Sequence, residues 1–143
     1  MKFPKVAAAF FTTLLASVAD ARIYGIAVPE VIKPGNGFNA IIMSSNYIQS
    51  VYDVGIAFGY RPEGFPGSLG TVLGSYYLGP EQSNQLQNFT KWVHVPSDAP
   101  KGAIEIAASL HSLYGVAASP ILSLYNVSVE FGDFTSSKYV SSL

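Results

Sequence analysis

Residues 124–134 read LYNVSVEFGDF. Tyr125, Val127, Val129 and Phe131 alternate with Leu124, Asn126, Ser128 and Glu130. Successive side chains leave a strand on opposite sides, so a period of two marks a strand with one apolar and one wet face. The same alternation recurs in short runs along the chain, and no other feature constrains the fold as much. The runs predict strands at 23–28, 39–45, 52–60, 71–78, 89–95, 103–110 and 121–131. Turn-forming residues separate them: Lys33-Pro34-Gly35-Asn36-Gly37, the RPEGFPG stretch at 61–67, Gly79-Pro80-Glu81 and residues 96–102. Seven short strands at this spacing predict an all-β fold, an antiparallel β-sandwich of immunoglobulin-like type.

Two stretches are less regular. In 103–111, Ile104, Ile106, Ala108 and Leu110 alternate with Glu105, Ala107, Ser109 and His111. The alternation favours a strand, while Asp98, Pro100 and the alanines keep a helix open. In 67–74, Gly70 and Gly74 mark either a bulge or a close backbone approach.

The N-terminus reads as a leader. Lys2 and Lys5 precede a mostly apolar, uncharged run at 6–18, and Ala19-Asp20-Ala21 fits a small-x-small cleavage site. A spanning helix needs roughly 20 apolar residues, so a secretory signal peptide at 1–21 is expected rather than an anchor. Cleavage would fall between Ala21 and Arg22 and leave a single domain, 22–143. Losing Lys2, Lys5 and Asp20 takes the formal charge from −1 to −2. No basic run remains to meet phosphates, so nucleic acid is not an expected partner. No later segment is long and apolar enough to span a membrane. A secreted, extracellular monomer is expected.

There is no cysteine. That excludes thiol catalysis, thiolate metal sites and disulfide frameworks, so the domain must be held by its core. Two N-glycosylation triplets occur, Asn88-Phe89-Thr90 and Asn126-Val127-Ser128. If Tyr125, Val127 and Val129 face the core, Asn126 faces water and can carry a sugar without disturbing the packing.

Catalytic patterns are missing. His94 and His111 have no metal-ligand spacing around them, no Gly-x-Ser-x-Gly elbow occurs, and Gly67–Gly74 lacks a Gly-Lys-[Ser/Thr] ending. The carboxylates are scattered rather than paired. No enzyme, cofactor or metal is therefore expected. Aromatic residues are abundant instead: nine tyrosines, nine phenylalanines and Trp92. Placing Val93 and Val95 inward sends Trp92 outward, where it would serve as a binding anchor or cover the sheet end. The proline-stiffened stretch Tyr60-Arg61-Pro62-Glu63-Gly64-Phe65-Pro66 would present Tyr60, Arg61 and Phe65 to a partner, or be an ordinary stiff connection.

Several stretches resemble a known family. Arg22-Ile-Tyr-Gly-Ile-Ala-Val-Pro29 leads into Ile32-Lys-Pro-Gly35, then Asn46-Tyr-Ile-Gln-Ser-Val-Tyr-Asp-Val54 and Ile56-Ala-Phe-Gly59. Leu73-Gly-Ser-Tyr-Tyr-Leu-Gly-Pro80 and Ser123-Leu-Tyr-Asn-Val-Ser-Val129 continue the pattern. Together they resemble the fungal necrosis-inducing secreted protein family across the whole of 22–143. The resemblance implies an effector that suppresses pattern-triggered immunity in a host plant. Its implied partners are immune receptor-like kinases: the shared co-receptor kinase of surface receptors and a downstream cytoplasmic kinase, both lowered in activity. Host cell death is implied for some members. The place of action would be the host apoplast, or the host cytoplasm and inner face of the plasma membrane after uptake. The residues alone leave two other readings, a cell-wall or polysaccharide-binding module and a small wall hydrolase.

Overall fold

The computed structural model describes residues 20–143. The expected signal peptide lies outside the described residues apart from Asp20 and Ala21. Nine strands are present among the described residues: β1 (Ala21–Pro29), β2 (Val31–Ile32), β3 (Gly37–Asn46), β4 (Val51–Arg61), β5 (Thr71–Tyr77), β6 (Phe89–His94), β7 (Gly102–Tyr114), β8 (Ser119–Phe131) and β9 (Tyr139–Ser141). They form two packed sheets, one in the order β6-β3-β1-β9 and the other β2-β8-β7-β4-β5. The fold is an all-β sandwich.

The seven expected strands all occur, each within a few residues of its expected ends. The ambiguous segment is β7, and its alternation wins: Ile104, Ile106, Ala108 and Leu110 are buried, while His111 is exposed. Two strands were not expected. β2 and β9 have two and three residues, too short to show alternation. β9 pairs antiparallel with β1, whereas the short β2 runs parallel to the end of β8 through Val31↔Glu130 and Ile32↔Phe131, beside ladders that are otherwise antiparallel among the described residues.

The core lies between the sheets. Ile26, Val28, Ile42 and Val93 meet Phe58, Ile106, Leu110 and Phe131, all almost fully buried. Each such side chain stabilises the fold by roughly 1.5–3 kcal/mol relative to exposure. Between β4 and β5 the register passes from Phe58↔Gly74 to Gly59↔Val72, so Leu73 is an extra residue in β5. The irregular glycine stretch is therefore both things the sequence allowed. Gly74 sits at the bulge, and Gly70, at φ 73°, packs its backbone against the Tyr60 carbonyl. A Cβ at Gly70 would collide with that carbonyl.

Candidate functional site

The loop after β4 differs from expectation. Arg61 is not presented to a partner. It lies 5% exposed, its Nε and Nη2 reach Glu105 Oε1 at 3.2 and 3.1 Å, and its Nη1 donates to the Ser68 carbonyl. The reason is that residues 62–70 fold back over the sheet, so a guanidinium placed there ties the loop down. Tyr60 is half-buried and sets its ring edge against Phe131 at 5.3 Å. Phe65 remains outside, 60% exposed.

Trp92 stands on the opposite sheet, in β6, 59% exposed. Its indole lies over Gly37, where a Cβ would strike the ring. Tyr76 from β5 donates its hydroxyl to the Trp92 carbonyl at 2.7 Å and so bridges the two sheets beside it. Phe65 lies in the loop between β4 and β5 of the five-stranded sheet, and Trp92 lies in β6 of the other sheet. The two sequon asparagines are both exposed. Asn126 Nδ2 donates to Glu105 Oε2 at 3.1 Å, and Asn88 Oδ1 accepts from the Ser44 amide at 3.0 Å. Arg22 places its guanidinium 4.9 Å from the centre of the Tyr47 ring. The expected cleavage point, between Ala21 and Arg22, is the first peptide bond of β1; Ala21 is fully buried and pairs with Asn46.

The outer face of the five-stranded sheet holds a feature that single-strand reading could not find. Register sets Leu122, His111, Gly55 and Tyr77 in one row across β8, β7, β4 and β5, and Leu124, Ser109, Ala57 and Ser75 in the next. Gly55, Ala57, Ser75 and Ser109 are small, and Leu122, Leu124, His111 and Tyr77 stand around them. The result is a shallow trough. One hollow of about 360 Å³ is lined by Gly55, Ala57, Tyr77, Ser109 and His111. A second, of about 220 Å³, lies under the folded loop between Leu69, Ala107, Leu124 and Asn126. The signal was the pairing of Ala57-x-Gly59 with Ala107-x-Ser109, which becomes visible only when register is known.

Among the described residues no three histidine, aspartate or glutamate side chains come together as a metal site. Asp53 and Ser112 form the deepest polar pair, with the Ser112 hydroxyl donating to Asp53 Oδ1 at 2.6 Å. Both are essentially inaccessible, at 1% and 0% exposure, so the pair is part of the scaffold. Burial pushes the Asp53 carboxyl above its ordinary pKa, and the Ser112 bond partly opposes that shift. On the surface, the Tyr52 and Tyr77 hydroxyls share a hydrogen bond of 3.2 Å, which raises the Tyr52 pKa, with desolvation adding to it.

Comparison with known proteins adds what geometry does not. The chain is 51% identical over 130 residues to necrosis-inducing secreted protein 1 of Colletotrichum higginsianum, covering 90% of each. It is 52% identical over 130 residues to the protein of the same name from Colletotrichum orbiculare, covering 90% of this chain and 80% of that one. Among solved structures, superoxide reductase (neelaredoxin) from Ignicoccus hospitalis aligns at a TM-score of 0.42 and 14% identity, over 78% of this chain and 80% of that one. A likeness of that order carries no argument. The Nis1 family model matches residues 19–130. With that match and two relatives more than half identical across nine-tenths of its length, the chain belongs to the Nis1 family.

Proposed function

We propose that this chain is a secreted effector that induces necrosis and suppresses pattern-triggered immunity in a host plant. It does so by binding immune receptor-like kinases, the shared co-receptor kinase and a downstream cytoplasmic kinase, and lowering their activity. The observation that carries the reading is the match to relatives named necrosis-inducing secreted proteins over nine-tenths of the chain. Inhibition is by stoichiometric binding without turnover. Trp92 and Phe65 serve as contact anchors, since exposed aromatic rings bury large area at small entropic cost.

The test is a titration of purified 22–143 against the cytoplasmic kinase domain of the plant co-receptor, following autophosphorylation. Saturable binding and a fall in activity that ends at a one-to-one ratio are expected. Trp92→Ala or Phe65→Ala weakens it about tenfold or more if that ring is a hot spot, the loss typical of a buried aromatic anchor. Absence of binding by a folded protein would overturn the reading. The exposed indole on a sheet face also favours a second reading, a polysaccharide-binding module. Retention on chitin or β-glucan, competed by soluble oligosaccharide, would support it.

A further inference from the structure

One margin of the trough is an open sheet edge. β8 pairs with β7 along its whole length, from Tyr114↔Ser119 to Gly102↔Phe131. Among the described residues its other side meets only β2, at Glu130 and Phe131. The Glu130 amide donates to the Glu30 carbonyl at 3.0 Å. Backbone groups alternate sides along a strand, so the amides and carbonyls of Leu122, Leu124, Asn126 and Ser128 also point away from β7. They have no partner among the described residues. The edge between Ser119 and Val129 carries no charge, and Leu122 and Leu124 on its outer face are 66% and 52% exposed. Natural edges are commonly protected by lysine, proline, bulges or a covering loop. Here only Pro120, near the start of the strand, serves that purpose.

What does stand on this edge is the sequon Asn126-Val127-Ser128. We propose that the β8 edge is a self-association surface: without a glycan it pairs antiparallel with the same edge of a second copy, and a glycan on Asn126 keeps the chain monomeric.

The second copy fits because the edge is self-complementary. A two-fold axis at Leu124 sets Leu124 against its own counterpart and Leu122 against Asn126 of the partner copy, and each pair exchanges backbone hydrogen bonds. No like charges oppose each other: Glu105, beside Asn126, is paired with Arg61, and Glu130 lies beyond the paired segment. Pairing uses up both edges, so it closes at a dimer. The glycan arm rests on the secretory reading; the edge arm rests on geometry alone. Oligosaccharyl transfer joins the Asn126 amide nitrogen to the anomeric carbon of a lipid-linked sugar, releases the lipid pyrophosphate, and removes one of the two Nδ2 protons. The proton that remains still serves the bond to Glu105. The first sugar then stands on the outer face at Asn126, against the position that Leu122 of the second copy would take.

The test expresses the full chain in a secreting yeast and compares wild type with Ser128→Ala, which removes the sequon but keeps Asn126. Site occupancy is read by mass spectrometry and molar mass by light scattering across a concentration series. Wild type is expected to carry a glycan at Asn126 and run as a monomer. Ser128→Ala is expected to double in polypeptide mass with rising concentration, and Ser128→Ala/Leu124→Lys to return to a monomer. An unoccupied Asn126 would overturn the glycan arm. A Ser128→Ala protein that stays monomeric throughout would overturn edge pairing.

Discussion

Buried polar residues here divide into pairs that hold the fold and groups that tax it. Arg61 is the first kind. Its guanidinium ties β4, the Glu105 side chain and the 62–70 loop together. Arg61→Ala leaves Glu105 and the Ser68 carbonyl without that partner and should cost about 3 kcal/mol, by the precedent of broken buried pairs. Chemical denaturation checks it, and adding Glu105→Ala should recover part of the loss in a double-mutant cycle. Asp53 is the second kind. Its folded pKa is raised, so the folded chain holds this proton more tightly than the unfolded chain. The stability it contributes is full below the ordinary value and is lost as pH rises through the raised one. Asp53→Asn keeps an acceptor for Ser112 and removes the ionisation. The variant should be at least as stable as wild type near neutral pH. The difference between them should shrink on acidification toward about pH 4, as urea midpoints at several pH values would show.

At the level of elements, β8 combines both situations of a strand. Its odd-numbered residues from Ser123 to Val129 turn their amides to β7, while Leu122, Leu124, Asn126 and Ser128 turn theirs to the free edge. Hydrogen exchange of the monomer should therefore alternate along β8, slow at Ser123, Tyr125 and Val127 and fast at Leu122, Leu124 and Asn126. Uniform protection in the monomer would contradict the edge. The strand itself was legible because Val127, Val129 and Phe131 form a strict period of two, and the same holds for Trp92 opposite Val93. Of the two roles the sequence leaves to Arg61, presentation to a partner or an ordinary connection, local sequence cannot choose, because the choice depends on Glu105, 44 residues away along the chain, which the Arg61 side chain reaches. The trough escaped for a similar reason, since its small residues become neighbours only through the β4–β7 register. β2 and β9 draw their existence from pairing with distant strands, not from their own pattern.

The molecule as a whole is held by non-local pairing. β1 is bound to β3 on one side and to β9, from the far end of the chain, on the other. Without disulfides, that closure rests on core packing and backbone ladders, including the Ser142 hydroxyl that accepts from the Ile26 amide at 2.9 Å. One detail of β1 then acquires a meaning in time. The bond between Ala21 and Arg22 belongs to the ladder, with Ala21 opposite Asn46, Arg22 opposite Ser45, and the Tyr47 amide bonded to the Asp20 carbonyl at 2.9 Å. A protease needs its substrate extended and free of other partners. A signal peptidase cutting there must act while β3 is still unpaired or not yet synthesised. For a leader cut at the expected bond, removal and folding would be competing clocks, and a chain that folded first would hide that bond.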